Sequence, residues 1–184
     1  DFTTFNNLAY WLEKGGVYNA VVVNVRDGNY NEQTIFKAIL GTDSINNVLI
    51  QSESGDSSAV VISYSSQSSS NNYLILLDGT DWINWKQITF YSNYSAYYLR
   101  NISFNTGSNY NTFTNCSFSG LVSSTSSSSA ALVFAGSGDC SYNVFNNCLF
   151  TNGAYGGYFY GYYNGIYETN NKFENCHFIN QYYR

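Results

Sequence analysis

Three features of the sequence predict an all-β solenoid preceded by one short helix. One line is written three times, as NTFTNCSF (Asn111 to Phe118), NVFNNCLF (Asn143 to Phe150) and NKFENCHF (Asn171 to Phe178). The shared frame is N-x-F-x-N-C-x-F, and its copies sit 32 and 28 residues apart, a period that belongs to stacked repeat architectures. Aromatic and β-branched residues alternate with Asn, Gly and Ser along most of the chain, which reads as many short strands joined by turns. Helical period is confined to the first 16 residues.

The 184 residues suit one domain. The chain has no Pro and no Met, 10% charged residues and 19% aromatic residues. A disordered segment would carry more charge and fewer rings, and a long-helix protein more Ala, Glu, Lys and Leu. With a net charge of −5 and seven Lys and Arg spread singly, no basic stripe exists to neutralise phosphates, which excludes nucleic acid as a partner. The same lack speaks against an anionic membrane surface, and no apolar run is long enough for membrane insertion. No signal peptide is visible and the chain opens at Asp1, so it reads as a mature form or an excised segment.

Residues 1–16 form the helical unit. Phe5, Leu8, Ala9 and Leu12 follow the i, i+3, i+4, i+7 spacing of one buried face. Thr3 or Thr4 is the N-cap, and Gly15-Gly16 stops the helix after Lys14. Residues 17–184 form the solenoid. Val21 to Val25, Ile35 to Leu40, Val48 to Gln51, Val60 to Tyr64 and Tyr73 to Leu77 read as strands. Turns fall at Asp27-Gly28, Gly41-Thr42-Asp43 and Ser54-Gly55-Asp56. Trp82 to Phe90 is a degenerate copy of the repeat, with Trp85, Gln87, Ile88 and Phe90 in the slots of Phe113, Asn115, Cys116 and Phe118. The Ser-rich stretches Ser63 to Ser70 and Ser123 to Ser129 read as loops bulging from corners, the second accounting for the longer step of 32.

Parity within the repeat is informative. Side chains on a strand alternate with period two, so Phe113 and Cys116 cannot both face inward on one straight strand, whereas Cys116 and Phe118 can. A bend at Thr114-Asn115 resolves this, since Asn tolerates the left-handed backbone of a tight corner. Asn115, Asn147 and Asn175 then stack at successive corners with their amides hydrogen-bonded along the stack. Cys116, Cys148 and Cys176 fill one equivalent slot and read as a ladder of buried thiols. Cys140 stands outside it, and a Cys140–Cys148 disulfide stays open. No metal is expected: no Cys pair has zinc-site spacing and His177 is the only His.

These stacked N-C-x-F corners resemble the asparagine ladder of right-handed parallel β-helix proteins, the pectate-lyase-like superfamily. The opening is similar too. A short helix, a Val-rich strand, Asp27 to Gln33, and later Ile50-Gln51-Ser52 and Ser54-Gly55-Asp56 resemble the start of β-helix domains in large secreted bacterial surface proteins. The resemblance implies a right-handed parallel β-helix of about six coils with an N-terminal capping helix, and a secreted, cell-surface location. Fold alone carries no activity.

Enzymes of this superfamily imply clustered Asp or Glu for calcium with a basic Arg or Lys, or paired Asp with Gly-His-Gly and Arg-x-Lys elements. None of these is present. The carboxylates are scattered and the pairs Asp78/Asp81 and Glu53/Asp56 flank turn glycines, so no catalytic residue and no cofactor are expected. His177 reads as an exposed surface residue. The segment YGGYFYGYYNGIY (Tyr155 to Tyr167) is the candidate binding platform, through Tyr155, Tyr158, Tyr160, Tyr162, Tyr163 and Tyr167. Tyrosine rings and hydroxyls suit a glycan or a protein interface, and the alternative is a plain strand with Phe159 inward. Tyr97-Tyr98 and Tyr182-Tyr183 are weaker instances. Sequons at Asn93, Asn101 and Asn115 occur, of which Asn93 and Asn101 are the glycosylation candidates. Only six residues follow Phe178, so the last coil exposes unpaired edges. Self-association or further domains of the same polypeptide are the expected partners, and polysaccharide is the alternative. The reading is a structural or adhesive extracellular module, a segment of a surface fibre or a head-to-tail filament subunit. A polysaccharide-binding or lyase-like protein is the alternative.

Overall fold

The computed structural model describes residues 1–136, 139–161, 165 and 167–183. Helix α1 (Phe5–Gly15) starts at Thr4, whose hydroxyl accepts the Asn7 N–H at 3.1 Å, and ends where Gly16 turns to a φ of 62°. Phe5, Leu8, Ala9 and Leu12 are its buried face, as the spacing requires. The Glu32 carboxylate accepts the Phe5 and Asn6 N–H groups at 3.1 Å each, placing an anion on the positive end of the helix dipole.

Three strands make each coil. The first holds β1 (Val21–Val25), β2 (Gly28–Asn31) and β3 (Thr34–Lys37), and the second β4 (Val48–Ser52), β5 (Val60–Ser63) and β6 (Ile75–Asp78). β7 (Ile83–Lys86), β8 (Thr89–Ser92) and β9 (Ile102–Asn105) make the third, and β10 (Thr112–Thr114), β11 (Ser117–Gly120) and β12 (Ala131–Ala135) the fourth. β13 (Val144–Asn146), β14 (Leu149–Thr151) and β15 (Tyr155–Phe159) make the fifth, and β16 (Lys172–Glu174) and β17 (His177–Ile179) begin a sixth. The sheets run β1-β4-β7-β10-β13-β16, β2-β5-β8-β11-β14-β17 and β3-β6-β9-β12-β15, and every pairing between them is parallel. The fold is therefore an all-β parallel solenoid with five complete coils and one short N-terminal helix.

The register explains the repeat. Ile50, Trp85, Phe113, Phe145 and Phe173 form one inward column. Ile62, Phe90, Phe118, Phe150 and Phe178 form a second. Phe113–Phe145 and Phe118–Phe150 stack at 4.8 Å between centroids, the spacing of adjacent strands, while rings of different columns meet edge to face. In the third sheet Ala135 sits between Phe104 and Phe159, and the two rings meet across it at 6.2 Å.

The corner is where parity places it. Asn115, Asn147 and Asn175 have φ of 54°, 53° and 54°, and Gln87 has 56°, so the degenerate copy keeps the same bend. Phe113, Cys116 and Phe118 are all buried. All four cysteines are free, with no Cys140–Cys148 disulfide. The Ser-rich segments are connections, the second closing with a 3-10 turn at Ser128–Ala130. Pairing offsets grow from 28 at Ser117↔Thr89 to 31 at Val133↔Ile102 and 32 at Val144↔Thr112. Most of the added length thus enters between β11 and β12. One expectation fails: Asp27-Gly28 is not a turn, because Gly28 begins β2, pairing with Val60, and the Tyr30 ring lies over its bare Cα.

Candidate functional site

The structural Asn ladder divides in two. At the corner position Asn147 donates to the Asn115 Oδ1 at 2.7 Å, but Asn175 donates to Asn146 rather than Asn147. This outer stack is largely solvent-exposed. The continuous ladder belongs to the first Asn of the repeat. Asn143 is fully buried; its Oδ1 accepts the Asn111 N–H and side-chain amide, and its own amide donates to Ser108 O and to Asn171 Oδ1. Asn111 repeats the pattern one coil earlier, donating to Thr80 O and accepting the Ile83 N–H. These buried amides satisfy backbone groups that the corner removes from the sheet.

One residue before that ladder lies an aromatic column. Trp82, Tyr110 and Tyr142 stack at 4.5 and 4.9 Å with nearly parallel planes. All three hold a left-handed backbone, with φ of 60°, 57° and 60°, uncommon for bulky residues. Tyr110 is sandwiched between the other two rings.

Part of the predicted platform is occupied by its own neighbours. Tyr155 is half-buried and its hydroxyl donates to Ser126 O at 2.9 Å. Tyr158 stacks on Phe134 at 5.9 Å and on Tyr160 at 6.4 Å. The Arg100 guanidinium covers Phe134 at 3.3 Å from its centroid, and burial pulls that guanidinium's pKa down to about 10. Tyr160 and Tyr167 are exposed. Tyr162 and Tyr163 lie outside the described residues.

Free ring faces occur elsewhere. Tyr97, Ser124, Thr125, Ser126, Tyr182 and Tyr183 line an open groove of about 680 Å³. Among the described residues no lining residue is charged. A second hollow of about 470 Å³ lies beside α1, lined by Asn6, Asn31, Glu32, Gln33, Ile35, Tyr64 and Tyr73, but its carboxylate is the one that holds the helix.

The carboxylates do local structural work. Asp43 and Asp56 accept backbone N–H groups within their own turns, which lowers both pKa values. Asp78 accepts from Asn105 and Thr106, and Asp81 from the Asn109 N–H. Burial raises the pKa of Asp81 and of Glu168, whose oxygens have no hydrogen-bond partner among the described residues. Among the described residues no three His, Cys, Asp or Glu side chains group to hold a metal. His177 is exposed on β17.

The two sequons differ sharply. Asn93 is exposed. Asn101 is fully buried and its amide donates to Ser92 Oγ and Ser119 O, so the folded chain leaves no room for a glycan there.

No family model, no curated protein and no solved structure matches the chain.

Proposed function

We propose that this solenoid is a structural and adhesive module of the pectate-lyase-like β-helix type, working outside the cell at a surface, whose last rung pairs with further strands. The observation that carries this reading is the contrast between its two ends. At the start, α1 packs its buried face on the first coil, and the Phe5 ring reaches Tyr30 at 5.1 Å and Trp85 at 6.1 Å. The strands of the first and last rungs alike have one strand neighbour, but at the start α1 packs over β3, whereas at the other end Phe178 and Ile179 are about half exposed. Unpaired strands with apolar side chains are templates for more strands, supplied by further coils of the same polypeptide or by a second copy.

A second copy is favoured to meet this face with its own open face, because α1 packs over β3 at the opposite one. β16 is suited to that: in an antiparallel self-pairing centred on Phe173, Lys172 of each copy faces Glu174 of the other. The low charge and the Tyr, Asn and Ser surface support an extracellular setting. The scattered carboxylates, several of them held by structural hydrogen bonds, support a binding role over a lyase. Light scattering of the 184-residue chain across concentration tests the reading. Association that Ile179→Lys abolishes supports it, since a lysine on an edge blocks pairing. A monomer at every concentration, or association indifferent to Ile179→Lys, overturns the self-pairing.

A further inference from the structure

The groove at Tyr97, Ser124, Thr125, Ser126, Tyr182 and Tyr183 owes its existence to unequal connections. Nine residues join β8 to β9 and ten join β11 to β12, but only three, Asn152 to Ala154, join β14 to β15. The fifth coil is therefore cut back beside longer neighbours. Tyr97 rises from the third coil, the three hydroxyl residues from the fourth, and Tyr182 and Tyr183 from the segment after β17. The walls are tied in place. Ser123 Oγ donates to Ala96 O at 2.9 Å, joining the two long connections. The Tyr182 and Tyr183 N–H groups donate to Gly153 O and Ala154 O at 3.0 and 2.9 Å, fixing the last segment over the short one.

Ring availability separates this groove from the two aromatic stacks. Tyr110 has a ring on each face, Trp82 and Tyr142 each give it one of theirs, and Tyr158 contacts both Phe134 and Tyr160. Tyr97 and Tyr182 have no ring contact among the described residues, and they are 61% and 55% exposed. Tyr183 touches only Tyr155, at 5.5 Å and tilted. Three tyrosines with open faces thus stand around a floor of Ser and Thr hydroxyls.

We propose that this groove binds an uncharged carbohydrate chain. A pyranose offers a C–H face that lies flat on a tyrosine ring and an equatorial belt of hydroxyls that exchange hydrogen bonds with Ser124, Thr125 and Ser126. The volume falls inside the range of roughly 300–1,000 Å³ typical of ligand sites. The described lining selects against charge: a uronate or sulfated sugar would lose solvation with no cation among the described lining residues to replace it. The proposal stands apart from end-pairing, because Tyr97 and the Ser/Thr floor belong to inner coils.

The test is binding of neutral gluco-, manno- and chito-oligosaccharides, with oligogalacturonate as the acidic probe, followed by calorimetry and by protein NMR. Tyr97→Ala and Tyr182→Ala are compared with Tyr18→Ala, an exposed tyrosine outside the groove, and Ile179→Lys is run in parallel. Saturable binding of at least one neutral series is expected, weakened tenfold or more by each groove variant and unchanged in Tyr18→Ala. Retention of that binding in Ile179→Lys separates the groove from self-association. No binding of any neutral series, equal or better binding of oligogalacturonate, or indifference to both groove variants overturns the proposal.

Discussion

Replacing Asn143 by Ala separates the buried ladder from the exposed one. The Asn143 side chain makes four hydrogen bonds, two accepted from Asn111 and two donated, to Ser108 O and Asn171 Oδ1. Asn111 Nδ2 keeps its bond to Thr80 O, and Asn171 Oδ1 keeps the Asn143 N–H. The Asn111 N–H, fully buried, loses its partner. Stranding one such group costs about 1–3 kcal/mol, and the three remaining bonds are worth about 1 kcal/mol each net, so a loss of about 4–6 kcal/mol is expected. At a urea slope of roughly 2 kcal/mol/M this moves the midpoint by about 2–3 M. Urea unfolding followed by fluorescence reads it, since Trp85 is buried in the adjoining column. Asn147→Ala is the comparison. It forfeits an exposed bond to Asn115 and places Ala at a φ of 53°, a cost of about 1–2 kcal/mol, and Asn147→Gly recovers most of it. If Asn143→Ala costs no more than Asn147→Ala, the inner ladder does not hold the corners and the reasoning fails.

Three further outcomes follow from the packing and the thiols. A Cβ on Gly157 would sit 2.7 Å from the Phe173 ring, so Gly157→Ala is expected to lower stability by about 1–3 kcal/mol, read as a fall in melting temperature; an unchanged value contradicts the seating of Phe173 over β15. Burial pushes the Cys140 thiol up to about 11, whereas an unfolded thiol ionises near about 8.5. Between those pH values the unfolded chain gives up a proton that the folded chain keeps, so this contribution is full below the window and falls across it. Urea midpoints at pH 8 and 10.5 should converge in Cys140→Ala relative to the parent, and a thiol reagent should label half-buried Cys176 before the three buried cysteines.

The corner was legible because Phe, Cys and Phe cannot share one straight strand, and Asn115 was the residue able to bend it. Helix α1 was legible because Thr4, four spaced apolar residues and Gly16 agree. The inner ladder was less visible. Asn111, Asn143 and Asn171 precede a strand, and nothing local distinguishes a buried amide there from a turn residue; only the stacked copies bring them into contact. The aromatic column was hidden for a different reason. Tyr110 and Tyr142 occupy a backbone region that bulky residues avoid, so local preference points elsewhere, although alignment of the copies does put Trp82, Tyr110 and Tyr142 in one slot. Gly28 was misplaced because Asp-Gly is a turn signal, while its role is to lie beneath Tyr30. The groove depends on the lengths of three connections in different coils, and only Tyr97 and Tyr182-Tyr183 hinted at it.

The central claim is a solenoid whose first coil carries α1 over β3 and whose β16 and β17 edges, in the 184-residue chain, are available for pairing. Amide hydrogen exchange at low and high protein concentration tests it most directly. The account predicts that β3 beneath α1 is protected at both concentrations, whereas β16 and β17 exchange fast when dilute and slowly when concentrated, with Ile179→Lys remaining fast throughout. Equal protection of β16 and β17 at both concentrations, or fast exchange in β3, would contradict it.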